Sequence, residues 1–341
     1  DTVFGIAGDH ILHMLDQMWD APLRMIDFRH ESGAAHAADS YSRILRKGGV
    51  MLSTTPGHAN ALPALANAMH SEAPIINIAG SAESANIGRG AMQEFDQVGA
   101  AKPITKGAWD VPSPARIPDD VALAFRTALS GRQGPVHLTI PHDFQGAEVD
   151  DDELTRYSPK EYGTSLNVQG DSSQIERALE LLYSAQRPVI LAGSSAGATA
   201  IPSEVQRLIE TIRMPFFSED SARALIPDSH EYSMGLGYIP LNRTMAHLSE
   251  ADVVLMLGKR LDYTNGFGGN PPFASDVKFI VVDPSPAQIA RSRTAEVGIV
   301  GDLGPVISQM ADAAVKRKWS ERTEWLQRLR VAYDDWHKSL G

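Results

Sequence analysis

Short apolar runs of strand length alternate with helix-period segments from one end of this sequence to the other, and that alternation leaves few folds open. Val3–Ile6, Met25–Phe28, Val50–Ser53, Ile75–Ala79 and Val136–Ile140 read as strands. Between them, His10–Trp19, Ser32–Leu45, Ala59–Met69 and Val121–Leu129 read as helices. Such a chain folds into a mostly parallel sheet with helices on both faces, because parallel neighbours need a crossover long enough to hold a helix. Ligands of these sheets bind beyond the strand C-termini. Gly8, Glu31, Pro56 and Gly80 fall there.

The pattern breaks at residues 149–172. Asp150-Asp151-Asp152-Glu153 is a run of like charge, and Pro159, Gly163, Asn167 and Gly170 follow it, the composition of an exposed linker. A second α/β unit then begins. Its strands are Pro188–Ala192, Val253–Leu257 and Lys278–Val282, with helices near 173–185, 203–212 and 241–249. The expected fold class is therefore α/β, with two doubly wound, mostly parallel sheet domains at 1–148 and 173–315. A charged helical tail, 316–341, ends the chain. A length of 341 residues agrees, being too great for one ordinary core.

Composition removes several function classes. The net charge is −11 with no long basic run, which argues against nucleic acid as a partner. No apolar run approaches the roughly 18 residues that span a bilayer. There is no Cys, so disulfides, iron–sulfur clusters and thiolate metal sites are excluded, and a reducing, cytoplasmic location is expected. The sequence opens at Asp1, without Met, straight into an apolar run; a preceding N-terminal piece is expected.

The stretch Arg29-His30-Glu31-Ser32-Gly33-Ala34-Ala35-His36-Ala37-Ala38-Asp39 places a carboxylate directly after a strand, at the start of a helix of small residues. Glu31 is also a good helix-start residue on electrostatic grounds alone. A zinc reading of His30-Glu31 fails, since the ligand pattern needs His at i and i+4 and His36 is six residues on. Six residues turn a helix by about 240°, so the rings diverge. Next, Ser53-Thr54-Thr55-Pro56-Gly57-His58-Ala59-Asn60 ends a strand in a tight turn whose Pro and Gly fix a backbone that a flat ligand can approach. It equally reads as a plain strand–helix turn. Gly5-Ile6-Ala7-Gly8-Asp9-His10 and Gln93-Glu94-Phe95-Asp96-Gln97-Val98 follow other strand ends.

Together with Lys102-Pro103-Ile104-Thr105-Lys106 and Gly131-Arg132-Gln133-Gly134-Pro135-Val136, these motifs come in one order at consistent spacing. Residues 1–148 so resemble the pyrimidine-binding domain of the thiamin-diphosphate (ThDP) enzymes that include acetolactate synthase, benzaldehyde lyase, oxalyl-CoA decarboxylase and 2-hydroxyacyl-CoA lyase. The resemblance implies that Glu31 hydrogen-bonds the aminopyrimidine ring, favours its imino tautomer and so promotes loss of the thiazolium C2 proton. Gly8, Pro56, Gly57 and Asn60 match cofactor-contacting positions. His10 matches an active-site histidine able to relay a substrate proton; a solvated histidine at a helix start is the alternative. Gln93 matches a glutamine directed at substrate oxygen. His58 departs from the small or aromatic residue usual there, which leaves pocket polarity open.

Residues 173–310 resemble the middle domain of the same family, through Arg187–Gly193, Ala251–Asp262 and Asp276–Asp283. That domain implies FAD, ADP or CoA binding, with Arg260, Asp283 and Asp302 as candidate contacts, or a purely structural role. Gly193-Ser194-Ser195-Ala196-Gly197 is not the phosphate-binding G-x-G-x-x-G. Gly266–Phe273 looks more like 2-hydroxyacyl-CoA lyase and favours a CoA-thioester substrate. The family's third domain binds Mg²⁺ and diphosphate through Gly-Asp-Gly and a later Asn. Here Gly301-Asp302-Leu303 interrupts that motif and no Asn follows Asn270. The Mg²⁺ ligands are thus expected on another chain or domain, in a homo- or hetero-oligomer. Three functions remain open: a ThDP-dependent lyase, carboligase or 2-oxo acid decarboxylase; an FAD-containing acetolactate synthase; and a non-catalytic nucleotide-binding or regulatory subunit.

Overall fold

The computed structural model describes residues 1–155, 157 and 167–340. The linker positions Pro159 and Gly163 lie outside the described residues. The chain divides into two compact units, Asp1–Ser165 and Leu166–Gly341.

The first unit is a six-stranded sheet of β1 (Thr2–Gly5), β2 (Arg24–Asp27), β3 (Gly49–Ser53), β4 (Ile75–Ser81), β5 (Gly107–Asp110) and β6 (Val136–Pro141). The order across it is β2-β1-β3-β4-β6-β5, with every pairing parallel. Helices α1 (Leu12–Trp19), α2 (Glu31–Leu45) and α3 (Thr55–Ser71) connect its first four strands. The small residues of α2 and α3 explain their close packing on the sheet: Ala34, Ala35, Ala38, Ala61, Ala64 and Ala68 are fully buried against Met51, Leu65 and Ile75. The central strands are covered on both faces and read as near-continuous apolar runs.

Each strand expected in this unit is present, and β5 is additional. Its Gly-Ala-Trp-Asp sequence has no strand alternation and sits at the sheet edge, where burial imposes no pattern. Three helix starts differ from expectation by two residues or more, and one of these is the helix expected from Val121, which spans Ile117–Leu129. His10 belongs to a separate 3₁₀ turn, Asp9–Ile11, ahead of α1. Helix α3 begins at Thr55, not Ala59, so Pro56 and Gly57 lie inside its first turn. Proline is tolerated there because the N–H it lacks has no partner within the helix.

In the second unit the order is β12-β11-β10-β7-β8-β9, again all parallel. The strands are β7 (Pro188–Ala192), β8 (Phe216–Ser218), β9 (Ser233–Leu236), β10 (Val253–Leu257), β11 (Lys278–Asp283) and β12 (Val297–Val300). Helices Ser172–Ser184 and Pro202–Ile212 stand where the periodicity puts them, whereas 241–249 folds as 3₁₀ turns, Ile239–Leu241 and Arg243–Glu250. The three short strands β8, β9 and β12 escape a reading by apolar run length. The helix Thr323–Lys338 buries Trp325 and Leu329 in this unit's core, and the Trp325 indole donates to the Pro188 carbonyl at 3.0 Å. Trp319 likewise donates to the Ala314 carbonyl at 2.9 Å. Among the described residues no helix is long and apolar enough to cross a membrane.

Candidate active site

In the first sheet, β1 has β2 on one side and β3 on the other. The chain therefore leaves neighbouring strands in opposite directions, and the loops after them open a crevice. Glu31 follows β2, and Thr55 to Asn60 follow β3, so Glu31 and Asn60, 29 positions apart in sequence, meet across the end of β1, the strand between them.

Glu31 is the first residue of α2, and the His30 ring caps that helix by accepting from the Ser32 N–H at 3.2 Å. The half-buried Glu31 carboxylate is held at one oxygen: Asn60 Nδ2 donates to Oε2 at 2.9 Å. The other oxygen lies against Gly57, where a Cβ would come within 2.8 Å of Oε1. Any side chain at 57 would displace the carboxylate. Pro56 is exposed beside them. Gly8 borders the same strand ends; its extended backbone suits any residue, but a Cβ would lie 2.4 Å from Thr54 Cγ2.

His10 is 3% exposed. Its Nδ1 lies 3.1 Å from Thr55 Oγ1, and its main-chain carbonyl accepts from Gln145 Nε2 at 2.8 Å. The 3₁₀ turn carrying it rests directly on β4, because Gly80 has no side chain: a Cβ there would be 1.9 Å from the His10 carbonyl oxygen. Burial lowers the His10 pKa, with the Asp9 carboxylate opposing and His142 adding to it. His10, Asp9, Glu83, Arg89 and His142 border a cleft of about 540 Å³. An adjoining cleft of about 520 Å³ is lined by Thr55, Gln97, Asp110, Thr139, Ile87 and Phe95. Ala82, Gly90 and Ala91 border both.

Gln93 is not brought to this cluster. It is exposed, takes a left-handed backbone (φ +56) and lines neither cleft. The glutamine that reaches His10's neighbours is Gln97, which is 4% exposed and donates to Thr55 Oγ1 and the Gly80 carbonyl, both at 3.2 Å. Sequence reasoning passed over Gln97, although it stands four residues on in the same motif.

His58, which departs from the family pattern, does not colour either cleft. It is fully buried and stacks on His137 with ring centroids 3.9 Å apart. Asn77 Nδ2 sits 2.8 Å from Nδ1 of each ring. Burial lowers the His58 pKa to about 4 and takes His137 well below its usual value, so both rings are neutral. A signal for this cluster was present: Asn77 and His137 interrupt two apolar strands, and they are in register across β4 and β6. A polar residue at the middle of a buried strand requires a partner.

The candidates of the second unit are engaged differently. Asp283 is fully buried and its Oδ1 accepts from the Ser285 N–H at 2.9 Å. Asp302 Oδ2 accepts from the Val168 N–H at 3.0 Å. Arg260 is half-buried, and its carbonyl accepts from Asn265 Nδ2 at 2.8 Å. At the strand ends of β8 and β10 stands a pair the sequence reading missed: Lys259 Nζ lies 2.8 Å from Glu219 Oε2, with both side chains about 5% exposed. Lys259 also reaches Asp262 at 3.2 Å and Thr264 Oγ1 at 2.8 Å. Burial pushes the Glu219 carboxyl up to about 7 against the opposing pull of Lys259. Among the described residues no group of three or more His, Asp or Glu could hold a metal ion.

Two parallel sheets, the first with a carboxylate beside a bare glycine at its switch point, are the architecture of cofactor-binding α/β proteins. Comparison with known proteins narrows that class. The sequence model described as thiamine pyrophosphate enzyme, N-terminal TPP binding domain, matches residues 1–100, and the one described as thiamine pyrophosphate enzyme, central domain, matches residues 175–310. The chain belongs to the thiamine pyrophosphate enzyme family. It is 32% identical over 339 residues to a probable acetolactate synthase large subunit of Methanocaldococcus jannaschii, covering 96% of this chain and 56% of that protein. Against a 2-hydroxyacyl-CoA lyase of Arabidopsis thaliana it is 33% identical over 312 residues (89% and 53%), and against an oxalyl-CoA decarboxylase of Escherichia coli 30% over 334 residues (97% and 58%). The chain thus spans about half the length of the curated relatives it matches.

Proposed function

We propose that this chain forms the pyrimidine-binding and central part of a ThDP-dependent enzyme that makes or breaks a C–C bond next to a carbonyl, with a 2-oxo acid or a 2-hydroxyacyl-CoA as substrate. The observation that carries the reading is the Glu31–Gly57–Asn60 constellation. Its residues suit the aminopyrimidine: a carboxylate with one oxygen fixed by Asn60 and the other beside a position without a side chain. When bound, ThDP supplies the electron sink for the bond change. Glu31 holds the ring and a proton at Oε1, Asn60 keeps the carboxylate oriented, and Pro56 and Gly57 leave room for a flat ring. His10 exchanges a substrate proton at its imidazole.

The Mg²⁺ ion and the diphosphate are held by another chain or domain, so the active assembly is an oligomer or a longer polypeptide, and it works in the cytoplasm. The second unit serves as structural support and does not hold FAD, ADP or CoA. That choice is supported by Asp283 and Asp302, each of which has one carboxylate oxygen already engaged by a main-chain N–H.

The test is reconstitution. With the diphosphate-binding part supplied, ThDP and Mg²⁺ are expected to bind, and turnover of a 2-oxo acid or a 2-hydroxyacyl-CoA to appear. A reconstituted assembly that binds no ThDP would instead make the chain a regulatory relic of the family.

A further inference from the structure

Beneath the two clefts, groups from four places in the first unit meet: the ring of His10, the hydroxyl of Thr55, the carbonyl of Gly80 and the amide of Gln97. Gln97 Nε2 lies 3.2 Å from both the Gly80 oxygen and Thr55 Oγ1. Its amide must be turned this way, because the Gly80 carbonyl oxygen is an acceptor and the other end of the amide, also an acceptor oxygen, would repel it. Its two N–H groups are then both used. Thr55 Oγ1 has one hydrogen and two acceptor lone pairs, and it stands 3.1 Å from the Gly80 oxygen and 3.1 Å from His10 Nδ1.

Two arrangements are conceivable. If the Thr55 hydrogen goes to Gly80, Thr55 accepts from Gln97 and from a protonated Nδ1, and all four contacts are hydrogen bonds. If the Thr55 hydrogen turns to a bare Nδ1, its bond to Gly80 is lost and one lone pair stands idle. In a buried site each unmade bond counts in full. The first arrangement therefore wins, and it leaves Nε2 without a hydrogen. That nitrogen is itself buried and meets no donor or acceptor within the chain.

We infer that Thr55 and Gln97 are positioning residues that hold neutral His10 with its proton on Nδ1 and leave Nε2 as the basic nitrogen. The use of that nitrogen rests on the function proposed above; the tautomer rests on this chain's geometry alone. In that use, a substrate O–H bond breaks as the Nε2–H bond forms. The imidazolium keeps its Nδ1–H on Thr55, and the same proton returns from Nε2 to oxygen when the ring becomes neutral again. No other group changes its proton count.

The experiment is nitrogen-15 NMR of the chain labelled at histidine, with the His10 signals identified by their loss in His10→Gln. The expected spectrum at near-neutral pH shows a neutral His10 protonated on Nδ1. Thr55→Val, which keeps the shape and removes the hydroxyl, is expected to move the proton to Nε2 in whole or in part. Thr55→Ser is expected to return it. A His10 protonated on Nε2 in the unaltered chain overturns the inference, and so does a Thr55→Val spectrum with the proton unmoved. The first of these results needs no Thr55 variant, so a Thr55→Val that fails to fold leaves the inference exposed to refutation. The measurement needs no ThDP, so its failure is distinguishable from a failure of the proposed function, which is read by ThDP binding.

Discussion

Both sheets have a switch point, β1 flanked by β2 and β3 in the first unit and β7 flanked by β8 and β10 in the second. At the first, polar atoms are left without a partner in the chain: Glu31 Oε1 lies beside a glycine and His10 Nε2 meets nothing. At the second, Lys259 reaches Glu219, Asp262 and Thr264, and the acidic residues farther along the strand ends accept from main-chain N–H groups. The same topology leaves polar atoms open at one crevice and bonds them into an internal plug at the other. Topology supplies the crevice; whether its polar atoms are already bonded decides what it can do.

Substitution separates the two most sharply. Lys259→Met leaves buried Glu219 and half-buried Asp262 without their cation and is expected to cost about 3–5 kcal/mol of stability. Glu31→Gln, at the open site, is expected within about 0.5 kcal/mol of the unaltered chain. Urea unfolding measures both, and similar losses would erase the distinction.

Acid should act on the two units in opposite directions. His58 has a folded-state pKa of about 4 against 6.5, so its contribution is full above pH 6.5 and is lost as the pH falls toward about 4. Glu219 is raised from 4.5 to about 7, so its contribution is full below pH 4.5 and is lost as the pH rises through about 7. Each is on the order of 3 kcal/mol over its window. Unfolding followed separately in the two units should show slopes of opposite sign, reduced by His58→Phe in the first, where buried His137 keeps a slope of the same sign, and reduced by Glu219→Gln in the second. Slopes of one sign, or slopes unchanged in those variants, would contradict the assignment.

A smaller effect tests the open crevice itself. Gly57→Ala places a methyl group against Glu31 Oε1 and should weaken ThDP binding about tenfold, or roughly 1.4 kcal/mol, in a calorimetric titration of the reconstituted assembly. For the plug, the expected effect is none: FAD or ADP added to the chain should leave the unfolding temperature of the second unit unchanged. A rise by several degrees would reopen it as a nucleotide site.

Much of this was legible in the sequence because apolar run length and turn residues act locally. The five first-unit strands and the Glu31, Gly57 and Asn60 positions follow from that grammar and from motif order. Strands β5, β8, β9 and β12 did not show as apolar runs, and their pairing is set by their neighbours and not by their own composition. Lys259–Glu219 was hidden for another reason: the partners are 40 residues apart, and only the sheet order brings β8 and β10 to the same crevice. The Gln93–Gln97 exchange turns on a backbone conformation at Gln93 that no residue type announces, since positive φ is rare outside glycine. Asn77 and His137 were readable as polar interruptions of buried strands, but their meeting depended on the β4–β6 register.

The most direct measurement of the central claim is turnover of the reconstituted assembly with Glu31 and with Glu31→Gln, at saturating ThDP and Mg²⁺. The account predicts a loss of about 10²–10⁴-fold, the usual contribution of a positioned acid–base group, with the fold unchanged by circular dichroism. Equal turnover in the two proteins would contradict it.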